Sequence, residues 1–159
     1  MPHPDHDDEP AAAPGLDPSS LRHVLCHHLA QADVPAKKAF FRHIGHPLQL
    51  RPVEFSLLML IGHNDNVTQK RLSQALSVSA PNITIVIDRL VERDLVSRTR
   101  SESDRRAQHI RLTRKGSSLA RKAHELSLEV ERELLGGLSE AERGMLLELL
   151  EKVARPRMR

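Results

Sequence analysis

Apolar residues keep helical spacing along most of the chain and switch to strict alternation in one short region. Asp17-Pro18 resembles an N-cap followed by proline at the first helical position. Leu21, Val24, Leu25, His28 and Leu29 then recur three or four residues apart. Pro35 is expected to break or kink this helix, because it lacks an N–H and crowds the preceding turn. A second helical stretch, 36–44, is expected to stop at Gly45 and Pro47. Arg51-Pro52 opens a helix that is apolar nearly all round (Val53, Phe55, Leu57, Leu58, Leu60, Ile61), which places it in the middle of the protein.

Two short helical segments follow, 68–76 and 80–93, joined by Ser77-Val78-Ser79. Thr68 and Ser79 suit N-caps, and Pro81 falls in a first turn, where its missing N–H costs nothing. The first segment is expected to bury Leu72, Ala75 and Leu76, the second Ile83, Val86, Ile87, Leu90 and Val91. Two helices across so short a turn make a helix-turn-helix. Residues 95–99 and 109–112 then alternate apolar with polar, as half-buried strands do, around a polar loop over 100–108. Strand, charged loop and strand after a helix-turn-helix form a wing. Thr113 caps a long helix to about residue 135, with Leu119, Ala123, Leu126, Val130 and Leu134 on one face and Gly136-Gly137 at its end. Ser139 and Glu142 form a capping box for a last helix to about residue 154. The fold class is mainly α with a small β-wing: a winged helix-turn-helix over 52–113, set between terminal helices in a single domain, 17–159.

The 159 residues suffice for one core, and hydrophobic residues make up 39% of them. Phe40, Phe41 and Phe55 are the only aromatics, so the core must be aliphatic, as suits packed helices. A single cysteine, Cys26, excludes an internal disulfide. No apolar run approaches the roughly 18 residues that span a bilayer, and no signal-peptide core is present, which predicts a cytoplasmic protein with no membrane partner. Residues 1–16 are rich in proline, alanine, histidine and acids and read as a disordered tail. His3 and His6 could hold a metal weakly there, but a solvated tail is the simpler reading. Residues 1–18 carry Asp5, Asp7, Asp8, Glu9 and Asp17 but no Lys or Arg, and without those acids the net charge rises from +3 to +8. A basic body fits a polyanionic partner.

The element order points to DNA. A helix of this length fits the major groove, and the outward face of 80–93 offers Ala80, Asn82, Thr84, Ile85 and Arg89. An amide, a hydroxyl, apolar groups for a thymine methyl and a cation suit base edges. Ser79 and Pro81 open that helix. Thr68, Gln69, Lys70 and Arg71 stand where a helix N-terminus would meet phosphates. Arg98, Arg100, Arg105 and Arg106 on the wing suit a narrow minor groove. Each patch alone is more simply a solvated surface; their conjunction on this scaffold favours double-stranded DNA. An enzyme is not expected, since no phosphate loop, nucleophile elbow or paired carboxylates stand out. Nor is a cofactor or metal assigned. A protein-binding winged helix without DNA affinity should lack the basic wing.

The stretches TQKRLSQAL, SVSAPNITIVIDRLVERDLVSR and SESDRRAQHIRLTRKG resemble the core of MarR-type regulators, over about 52–117. The distinctive parts are Asp88-Arg89-Leu90, Asp94-Leu95-Val96, Asp104-Arg105-Arg106 and Leu112-Thr113-Arg114-Lys115-Gly116. The resemblance implies a homodimer built by the helices of 17–50 and 114–159, reading a pseudo-palindromic operator. It also implies that Arg105 or Arg106 enters the minor groove, with Asp88 pairing with Arg106 and Asp104 supporting the wing. Asp94 stands where the family often has glycine, at a position expected to need a left-handed turn.

Such regulators commonly bind small anionic or aromatic effectors between the dimerisation helices and the DNA-binding lobe. Phe40, Phe41, His43, His46, Phe55, Met59 and His63 are the candidate lining here. The plainer reading makes the phenylalanines core and the histidines surface. The expected function is a transcriptional repressor released from its operator by a small-molecule effector. The alternative is a thiol- or metal-responsive regulator acting through Cys26 and the nearby His23, His27 and His28. Against a thiol switch, the peroxide-sensing branch binds its cysteine with tyrosines, and this chain has none. Cys26 is therefore expected to be a buried structural residue.

Overall fold

The computed structural model describes residues 16–100 and 108–155. All but Leu16 of the tail expected over 1–16, and Asp104, Arg105 and Arg106 of the wing, lie outside the described residues. The chain divides into two units, Met1–Val34 and Pro35–Arg159.

In the first unit the Asp17 carboxylate accepts the Ser19 N–H at 2.9 Å and the Ser19 hydroxyl at 2.8 Å, as an N-cap should. The helix it opens is only one 3₁₀ turn, Pro18–Leu21. Helix α1, Leu25–Phe40, starts later and carries on through Pro35, contrary to the expected break. The carbonyl that Pro35 leaves without a donor belongs to Gln31, an exposed residue, so water can satisfy it. Cys26 is exposed, which corrects the expectation of a buried structural cysteine: the stretch around it keeps its apolar residues Leu25 and Leu29 exposed too.

The second unit holds the core. The backbone does not stop at Gly45 either: α1 leads through a π-helical turn, Phe41–Gly45, into a short α2, His46–Leu48. Gly45 is required by packing, since a Cβ there would sit 2.6 Å from the Phe41 ring. The helical path ends at Gln49, in the left-handed region at φ 51°. Helix α3, Pro52–Gly62, is the central one: Leu57 and Leu58 are fully buried and Ile61 nearly so. Around it pack α4, Gln69–Leu76, α5, Ala80–Glu92, and α6, Arg114–Leu134. Strands β1, Val96–Arg100, and β2, Gln108–Leu112, pair antiparallel with Val96 opposite Leu112 and Arg98 opposite Ile110. Arg100 and Gln108, expected in the loop, are strand partners. The Ile110 N–H also donates to the Val67 carbonyl at 2.8 Å, which ties the sheet to the entry of α4.

Thr68, Thr113 and Ser139 cap as their sequence signals suggest, whereas Ser79 makes no side-chain cap bond. The hydroxyls of Thr68, Thr113 and Ser139 accept from Arg71, Gly116 and Glu142, and the Glu142 carboxylate takes the Ser139 N–H at 2.8 Å. Two core expectations fail: Ala75 and Val91 are exposed. Both sit at the edge of a helical stripe, where one further 100° step turns the side chain outward. Helix α7, Glu140–Ala154, ends the described chain and buries none of its residues. Met145, Leu146, Leu147, Leu149 and Val153 stand open along it. Among the described residues no helix is long and apolar enough to cross a membrane.

Candidate nucleic-acid interface

Helix α5 is oriented by Ile83, Ile87 and Leu90, each fully buried against the core. Spacing of three and four residues then sends Asn82, Ile85 and Arg89 to the other side. Asn82 and Ile85 are exposed, and Ile85 leaves 51% of its surface open. Ala80 and Pro81 are exposed at the first turn, and Ser79 holds the N-cap position without a side-chain cap bond.

The helix-turn-helix is clamped at its mouth. Gln69 Nε2 donates to Thr84 Oγ1 at 2.5 Å, and that hydroxyl donates to the Ala80 carbonyl at 2.8 Å. Gln69 and Thr84, both expected to face DNA, are therefore bonded to each other and half-buried. Arg71 is engaged as well, its guanidinium donating to the carbonyls of Asp65 and Asn66 at 3.0 and 3.1 Å. Asn66 lies in the left-handed region, at φ 52°, which asparagine adopts readily. Lys70 is exposed beside them.

Arg98 on β1 reaches Asp88 on α5 at 2.6 Å. Asp88 was expected to pair with Arg106, which lies outside the described residues; within them its partner is Arg98. The pair is partly exposed, so its worth is about 1 kcal/mol or less, and its effect is to fix the angle of the wing strand to α5. A second junction fixes the far end. Asp94 turns the chain at φ 57°, the left-handed conformation expected there. Thr113 donates to the Asp94 carbonyl at 2.7 Å, Lys115 to that of Arg93 at 2.8 Å, and Gly116 lies against Leu95.

The seven candidate effector residues do not line one pocket. Phe40 packs edge-to-face on Phe41 and Phe55, with ring centroids 5.6 and 5.8 Å away. His43 faces Glu133 at 3.5 Å. Phe41 and His46 line a cavity of about 410 Å³ together with Arg51, Glu54, Arg89 and Arg93. Met59 and His63 line a different one, of about 280 Å³, between α3 and α6. Arg89 thus belongs to α5 and to a cavity wall at once.

Glu54 is a residue that sequence reasoning missed. It is 4% exposed, accepts the Arg51 N–H at 2.8 Å and faces Arg93 at 3.6 Å. The signal was present: an acid three residues after Arg51, at the start of an otherwise apolar helix, is half of a capping box. Among the described residues no group of three or more His, Cys, Asp or Glu side chains could hold a metal, so His23, Cys26 and His27 do not form one.

Comparison with known proteins places this architecture. The profile of the MarR family matches residues 50–107. A protein of Thauera aromatica assigned to regulation of the hcr operon is 28% identical over 136 residues, covering 86% of this chain and 82% of its own. The transcriptional repressor CouR, solved bound to a 23-mer DNA duplex, superposes with a TM-score of 0.82 at 32% identity, over 89% of this chain and 99% of that one. A mutant MarR from E. coli complexed with operator DNA superposes at 0.77 with 25% identity, over 88% and 100%.

Proposed function

Since the chain belongs to the MarR family of transcriptional regulators, we propose that it is a dimeric repressor that binds a pseudo-palindromic DNA operator and is released by a small aromatic or anionic ligand. The observation that carries DNA binding is α5, whose buried stripe presents Asn82 and Ile85 outward together. An exposed isoleucine beside an amide suits a thymine methyl and an adenine edge. Lys70 and the wing arginines supply charge for the backbone. The open apolar residues of α7 support the dimer, since a lone chain leaves them in water.

The test uses the duplex that the protein selects from a random pool. Asn82→Ala is expected to relax sequence preference, at about 1–3 kcal/mol for a good base contact. Arg105→Ala and Arg106→Ala are expected to weaken binding and flatten its salt dependence, because fewer counterions are released. A wing variant that matched wild type across the salt titration would remove the wing from this account.

The exposure of Cys26 favours one second reading, a thiol switch. Operator release by hydroperoxide that disappears in Cys26→Ser would establish it over ligand release.

A further inference from the structure

The wing sheet has an outer face that neither the core nor α5 uses. Side chains alternate along a strand, and on one face Val96 and Ile110 are buried while Arg98 reaches Asp88 of α5. The other face carries Ser97 and Thr99 of β1 and His109 and Arg111 of β2, with Thr99 opposite His109 and Ser97 opposite Arg111. His109 also forms a β-bridge with Thr68, the N-cap of α4. Opposed residues of an antiparallel pair share a face, so Thr68, His109 and Thr99 stand in one row that joins the helix-turn-helix to the wing. None of these five residues is acidic, and Arg111 is exposed.

His109 is half-buried, and its Nδ1 is closed off from solvent with no hydrogen-bond partner among the described residues. A buried N–H without an acceptor is rarer than a buried acceptor left unpaired, so the ring proton belongs on Nε2. His109 therefore offers a donor. The Thr68 hydroxyl accepts from the Arg71 N–H at 3.3 Å and keeps its own proton to donate. Two donors on the same face as an exposed guanidinium fit an anion with several acceptor oxygens, such as a phosphate diester.

We propose that the outer face of the wing sheet holds a backbone phosphate of the operator, with His109 Nε2 and the Thr68 hydroxyl donating to it and Arg111 supplying charge. The contact is separate from the base-reading face of α5 and from the wing loop, and it rests on the DNA-binding reading above. The row is fixed to both helices of the helix-turn-helix. Ile110 donates to Val67 at the entry of α4, and Arg98 holds β1 to α5. Docking of α5 therefore sets where this face meets the duplex. A contact to phosphate adds affinity without sequence preference.

Salt titrations with the full chain test the assignment, on the duplex selected from a random pool and on a scrambled one. Arg111→Gln is expected to weaken both by the same factor, about threefold to tenfold, and to reduce the salt slope by about 0.9. His109→Leu should lose about as much on both duplexes with the slope unchanged, and His109→Gln, which keeps a donor near Nε2, should regain most of it. Arg111 is exposed, so its arm of the test does not depend on how the half-buried position 109 tolerates substitution. In duplexes that each carry one neutral methylphosphonate, one position per half-site should weaken wild type but not Arg111→Gln. Variants that match wild type in affinity and slope would overturn the contact while binding through α5 stood, and so would a loss confined to the selected duplex. Calorimetric binding of inorganic phosphate to wild type, abolished in His109→Leu, would give the face to free phosphate and overturn it too. If wild type bound no duplex from the pool, the DNA reading and this contact would fall together.

Discussion

A Cβ atom on Gly116 would lie 1.8 Å from the carbonyl oxygen of Leu95, so α6 begins in direct backbone contact with the turn that leaves α5. Neither side of that contact is a flexible side chain that could move away. Gly116→Ala is therefore expected to lower stability by about 2–3 kcal/mol, the scale of overpacking a buried site. Urea denaturation measures it, and an unchanged midpoint would show that the junction yields. DNA affinity should fall as well, since the same contact sets where α5 meets the wing.

Asp94, at φ 57°, sits in a conformation that costs an ordinary L-residue about 1–2 kcal/mol. Glycine removes that strain and returns part of the gain as unfolded-state entropy. Asp94→Gly is expected to raise stability by about 0.5–1 kcal/mol, read as an upward shift in thermal midpoint, with operator affinity unchanged.

Arg93 is the charged partner of a nearly buried carboxylate. Arg93→Met should cost about 1–3 kcal/mol, less than for a fully buried pair because Arg93 is itself about one-third exposed. The double variant with Glu54→Gln should recover part of the loss, since no unpaired charge then remains. A double variant no more stable than Arg93→Met would place the cost in packing rather than charge.

The Glu142 carboxyl is held below its ordinary value of 4.5, first by the Ser139 hydroxyl and then by the Ser139 N–H. A depressed folded value means that the cap stabilises α7 above pH 4.5 and loses its effect as pH falls through the lower folded value. NMR titration of the Glu142 carboxyl carbon checks this. In Ser139→Ala the midpoint should move back towards 4.5, short of it because the backbone donor remains.

Removing 138–159 takes away the open apolar residues of α7, and should yield insoluble or DNA-inactive protein. A soluble monomer by analytical ultracentrifugation that still bound DNA tightly would exclude α7 from the dimer.

Elements with a local signal were legible in the sequence. The capping residues Thr68, Thr113, Ser139 and Glu142, the stripe Ile83, Ile87 and Leu90, and the alternation at Arg98 and Ile110 each report on neighbours a few residues away. Pro35 and Gly45 misled for one reason: their local preference is to end a helix. At Pro35 an exposed carbonyl can turn to water, and at Gly45 a phenylalanine ring needs the space. Similar limits apply to the site. The outward face of α5 follows from its buried face, but Gln69 meeting Thr84 and Arg98 meeting Asp88 depend on how elements pack, which no periodicity encodes. The packing of Phe40 on Phe55 and the approach of His63 to His124 of α6 join residues from different elements, which a linear pattern does not reveal.

The bond between Gln69 and Thr84 makes the two helices of the helix-turn-helix a single inheritable part. A change at residue 84 leaves the amide of residue 69 only its longer contact, 3.5 Å, with the Ala80 carbonyl, so substitutions at the two positions are expected to come in pairs. For the same reason, a chimera that borrows α5 from a relative should bind well only when α4 is transferred with it.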